Sequence, residues 1–108
     1  MYSFPKEPHE KIIKKSHANL HMENNVLTGA LYLTNERLVF VGYLMDIASK
    51  YMEEVPLSHI EGVSRGRSLF VFPNAIYITT IRNKKLKFVV GGRNSWMEAI
   101  LRQVEEVS

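Results

Sequence analysis

A mainly β chain closed by one C-terminal α-helix is the fold class this sequence predicts. Short β-branched and aromatic runs recur between Asn, Pro and Gly turns, and after Gly91-Gly92 the apolar spacing changes from two to about 3.6 residues. Length agrees with this. A chain of 108 residues with 45% hydrophobic content can build one core but hardly two, so residues 1–108 read as a single domain.

Met1 to Pro8 carries two prolines and little apolar weight, and is expected to be a loosely held arm. Ile12 to Met22 then alternates as a strand. Ile12, Ala18, Leu20 and Met22 take one face, Ile13, Lys15, His17, Asn19 and His21 the other, and Glu23-Asn24-Asn25 turns the chain. Gly29 to Val41 reads as a hairpin: Leu31 and Leu33 share a face, Leu38 and Phe40 return on it, and Asn35 tolerates the positive φ of a tight turn. Tyr43 to Glu54 has mixed spacing and is read as a loop followed by a strand over Lys50 to Leu57. Strands are predicted near Gly62 to Leu69, Ala75 to Ile81 and Leu86 to Val90, with turns at Pro73-Asn74 and Asn83-Lys84. The helix, 94–107, places Trp96, Met97, Ile100, Leu101, Val104 and Val107 toward the core and Glu98, Arg102, Glu105 and Glu106 outward, with Asn94 or Ser95 as cap. Six to seven strands and this helix imply a bent β-sandwich or partly open barrel, capped where the helix covers its end.

The run Gly29-Ala30-Leu31-Tyr32-Leu33-Thr34-Asn35-Glu36-Arg37-Leu38-Val39-Phe40 resembles the central signature of GRAM domains, and Glu10, Pro56-Leu57, Ile60, Val63, Phe88, Arg93 and Trp96 follow that pattern in order. The resemblance implies a pleckstrin-homology-like fold of seven strands and a capping helix. It implies architecture more than ligand, because Gly29, Leu33, Leu38, Phe40 and Trp96 are turn and core residues. Relatives of this fold often hold phosphoinositide headgroups with Lys and Arg around the first inter-strand loop. His21 to Val26 has neither, so no headgroup site is implied there.

With no cysteine, disulfides, thiolate catalysis and cysteine-ligated metals are excluded, and a cytoplasmic protein, in part peripheral to membranes, is expected. His17 and His21 lack the further ligands of a zinc site and read as sheet-face histidines. No nucleophile elbow or phosphate loop appears, so neither catalysis nor a cofactor is expected. Positive charge is concentrated instead. Arg65, Arg67, Arg82, Lys84, Lys85, Lys87 and Arg93 fall between Gly62 and Met97 without an intervening Asp or Glu. The first six are the candidate surface for an anionic lipid or an acidic protein partner. They lack the interleaved aromatics of an RNA-reading sheet, which argues against nucleic acid. Arg37 is read as a structural partner of Glu10, Glu36 or backbone carbonyls. The rival reading is protein interaction or self-assembly, including a homo-oligomer, through Tyr43, Leu44, Met45, Ile47, Tyr51 and Met52, which carry more apolar weight than a loop needs.

Overall fold

The computed structural model describes residues 4–23, 25–43, 50–68 and 72–108. The chain runs β1 (Ile12–His21), β2 (Val26–Thr34), β3 (Arg37–Tyr43), β4 (Lys50–Pro56), a 3₁₀ turn (Leu57–His59), β5 (Ile60–Ser68), β6 (Phe72–Thr80), β7 (Lys85–Val90) and α1 (Arg93–Val107). Seven strands form one antiparallel sheet in the order β4-β3-β2-β1-β7-β6-β5. β1 is the shared strand: all of it lies along β2, while only Ala18 to His21 pairs with β7, so the sheet curls about this strand into a half-barrel. The predicted fold class is the observed one.

One face of the curl is the core. Leu20, Leu27, Leu31, Leu33, Leu38, Phe40, Ile76, Ile78 and Phe88 project into it, and α1 closes it with Trp96 and Ile100. Trp96 is buried with its polar edge satisfied, its indole N–H donating to Ser16 Oγ at 3.1 Å. Gly29 is required by a close approach: a Cβ there would stand 1.9 Å from the Val41 carbonyl oxygen of β3. On the opposite face, Ala30, Tyr32, Val39 and Val41 form a smaller apolar cluster covered by Phe4, whose ring meets Tyr32 edge-on at 5.0 Å.

Several expectations are corrected by packing. From Phe4 onward the N-terminal arm is tied down, by that ring contact and by a hydrogen bond from Arg37 Nη2 to the Pro5 carbonyl at 2.8 Å. Asn35 does not use positive φ; it staples the β2–β3 turn to the chain entering β1, its Oδ1 accepting from the Lys11 N–H at 2.7 Å. Among the described non-glycine residues, Asn83 alone has positive φ, 61°, at the predicted β6–β7 turn. Pro73-Asn74 lies inside β6, not at a turn. A register irregularity between Ile12 and Lys14 spoils the alternation of early β1, and Ile12 and Met22 are exposed. In α1, Gln103 is buried while Leu101 and Val107 face solvent, and Gly92, at φ 70°, stands at the N-cap in place of Asn94 or Ser95.

Candidate anion-binding surface

Charged groups divide into a paired set and a free set. Glu10, fully buried at its side chain, accepts from Arg37 Nε at 2.8 Å, Arg37 Nη2 at 3.0 Å, Thr34 Oγ1 at 2.6 Å and the Glu7 N–H at 3.0 Å. Arg37 also pairs with Glu54 and lies over the Phe4 ring at 5.1 Å. The hydrogen bonds from Arg37, outweighing the cost of burial, lower the Glu10 carboxyl to about 2. Arg37 is therefore structural, as expected, with Glu54 in place of Glu36. Each of its three guanidinium nitrogens donates to an acceptor within the fold.

The six candidate cations do not form one cluster. In β5, Arg65 pairs in register with Ile76, a core-face position, and its Nε donates to Asn94 Oδ1 at the start of α1. In β7, Lys87 pairs with Tyr77 and Lys85 with Thr79, on the outer face. Arg65 thus belongs to the helix side of β5, and Lys85 and Lys87 to the far side of the sheet. Lys84 is removed differently. At the β6–β7 turn it reaches across to β4, with Nζ 3.0 Å from both carboxylate oxygens of Glu53. Glu53 also accepts from the Tyr51 hydroxyl at 2.7 Å, and burial with this carboxylate pushes the Tyr51 phenol up to about 12. Between β4 and the β6–β7 turn lies a cleft of about 340 Å³, where His59, Arg82 and Lys84 face Glu53 and Glu54. Its mixed charge suits no simple anion.

What remains is compact. The Lys85 ammonium sits 4.5 Å from the Tyr77 ring centroid and that of Lys87 5.8 Å, so one aromatic ring carries two cations. His21 follows in register beside Lys87, and desolvation, then the Lys87 charge, lower its pKa. Arg82, exposed at the adjoining turn, lines the mixed-charge cleft instead. Gly66 leaves Tyr77 its space: a Cβ at position 66 would stand 2.5 Å from the ring. Tyr77 and Gly66 were not singled out in the sequence, because only strand register brings them to the lysines. His17 lies on the same outer face near Ala30 and Tyr32, and no group of three or more metal-ligating side chains occurs among the described residues.

The apolar Tyr43 to Met52 segment is only partly represented. Leu44, Met45 and Ile47 lie outside the described residues, and Tyr43 is described as the last backbone position of β3. Tyr51 packs against the core cluster, and Met52 is exposed. No helix among the described residues is long and apolar enough to cross a membrane.

Comparison with known proteins follows the geometry. A C-terminal domain of an unknown protein from Leishmania infantum superposes with TM-score 0.72 at 19% identity, covering 88% of this chain and 84% of that one. The Vps36 N-terminal PH domain superposes with TM-score 0.71 at 13% identity, covering 95% and 85%. The hSac2 domain of the human phosphoinositide phosphatase Sac2 does so with TM-score 0.66 at 12% identity, covering 92% and 70%. These likenesses establish a pleckstrin-homology-like fold. No curated protein matches in sequence. The family pattern described as GRAM domain matches residues 2–105, and the chain therefore belongs to the GRAM family, whose domains are typically lipid- or protein-binding modules and generally not catalysts.

Proposed function

We propose that this domain binds an anionic membrane surface, weakly, through Lys85 and Lys87 of β7. The observation that carries the reading is the pair of ammonium groups held on one Tyr77 ring, with no carboxylate paired to either among the described residues. A rigid strand pair fixes both cations, so little side-chain entropy is lost when phosphates meet them. Each cation near an anionic bilayer contributes about 1 kcal/mol, so two supply about 2 kcal/mol, below the ~4 kcal/mol of millimolar affinity. Weak, salt-sensitive recruitment follows. The rival self-association surface loses Tyr51 to the core, which leaves Met52 as its exposed side chain among the described residues.

Co-sedimentation with neutral and anionic vesicles, at low and high salt, tests the proposal. Lys85→Glu with Lys87→Glu is expected to abolish an anionic, salt-sensitive interaction while the domain stays folded. Undiminished binding by that variant overturns it, and binding only to an acidic protein transfers the site to that partner.

A further inference from the structure

We infer that the end of the β5–β6 hairpin is a second membrane-docking surface, which inserts an apolar tip at Phe72 and places Arg67 and Arg65 against lipid phosphates. Among the described residues Phe72 is the bulkiest exposed apolar side chain, at 52%, and it is the first residue of β6, opposite Ser68. In sequence the connection between them is Leu69-Phe70-Val71, so the run 69–72 contains no polar residue; positions 69–71 lie outside the described residues, and the surface assigned here consists of Phe72, Arg65 and Arg67. An aromatic side chain left in water at a hairpin end opposes the general rule for turns, which favour Gly, Asn, Asp and Ser.

Charge identifies the occupant. Arg65 and Arg67 are both exposed, and the nearest acidic residue of β5 is Glu61, about 20 Å from Arg67 along an extended strand. An apolar side chain backed by cations, in a stretch of chain without Asp or Glu from Gly62 to Met97, matches a bilayer in layers, hydrocarbon below and phosphate above. A protein interface would have to supply a carboxylate for each guanidinium that it desolvated. This surface is separate from the β7 lysines: Phe72 stands seven residues along β6 from Thr79, the partner of Lys85, about 24 Å at the usual strand rise. The inference thus goes beyond the proposed function and does not depend on it.

Because the chain contains no cysteine, Phe72→Cys and, separately, Ile81→Cys each provide one attachment point for an environment-sensitive fluorophore; Ile81, also exposed, marks the β6–β7 turn. The vesicles are phosphatidylcholine alone or with one-fifth phosphatidylserine. The expected result is a blue-shifted, brighter signal from the label at position 72 on anionic vesicles, quenched by spin labels within the acyl chains. Phe72→Ser is expected to weaken vesicle partitioning about ten-fold, and Arg67→Glu about as much, with thermal unfolding unchanged. A silent label at 72, with binding that still depends on Lys85 and Lys87, overturns this inference and leaves the β7 reading intact. A responsive label at 72 with binding indifferent to those lysines does the reverse. Silence at both positions with no sedimentation overturns both.

Discussion

Arg37 and Lys85 are both cations placed beside β-hairpin turns, yet their surroundings differ in every respect that matters for binding. The Arg37 guanidinium is largely buried and donates to Glu10, Glu54 and the Pro5 carbonyl, over the ring of Phe4. Lys85 is exposed, lies on an aromatic ring and has no carboxylate among the described residues. The first arrangement commits every nitrogen of the guanidinium to an acceptor within the fold. The second commits none of the ammonium's hydrogens to a carboxylate among the described residues. Lys84, between these extremes, is half-exposed and already holds Glu53. A cation's role in this molecule thus follows from what has already claimed its hydrogens.

The comparison breaks if the two cations respond alike to removal. Arg37→Ala leaves the buried Glu10 carboxylate unpaired and is expected to cost about 3–5 kcal/mol, read as a lowered urea midpoint at unchanged slope. A loss below ~1 kcal/mol would put Arg37 in the same class as the surface lysines. Acid provides a second measure. Glu10 titrates at about 2 in the fold against 4.5 ordinarily, so its contribution is complete above 4.5 and is lost as the pH falls toward 2. Across that window the native protein is expected to lose about 3 kcal/mol more than Glu10→Gln, by denaturant titration at stepped pH. Equal slopes would show that the carboxyl is not held ionised.

Smaller effects sharpen the other side. Lys84→Ala is expected to cost less than ~1 kcal/mol, since its ion pair is open to water at the lysine end. Lys85→Ala with Lys87→Ala is expected to change stability by no more than ~0.5 kcal/mol, while anionic vesicle binding falls about thirty-fold. Destabilisation well beyond that figure would mean that the two lysines are held for structure, like Arg37.

Much of the fold was legible because strand alternation is a local signal: β1, the β2–β3 hairpin, β7 and α1 fall within a few residues of their predicted bounds. What failed depended on distant contacts. Asn35 answers to Lys11 and not to its own turn, and of the apolar stripe predicted for α1 the core takes Trp96, Met97, Ile100 and Val104 but leaves Leu101 and Val107 exposed. The cations are legible as a charge-rich stretch, but their division between faces is not. Spacing along the chain cannot show that Arg65 aligns with Ile76 while Lys87 aligns with Tyr77, nor that Lys84 meets a carboxylate 31 residues away.

Gly66 gives the β7 face a second kind of control, one that no charge-changing variant offers. Its missing side chain is the room in which the Tyr77 ring lies. A single methyl group at position 66 must tilt that ring, and with it the seat shared by Lys85 and Lys87, while every formal charge in the domain stays in place. During divergence, a lineage can therefore retune or lose this surface by the smallest change the genetic code allows at a glycine, with composition and isoelectric point left unaltered.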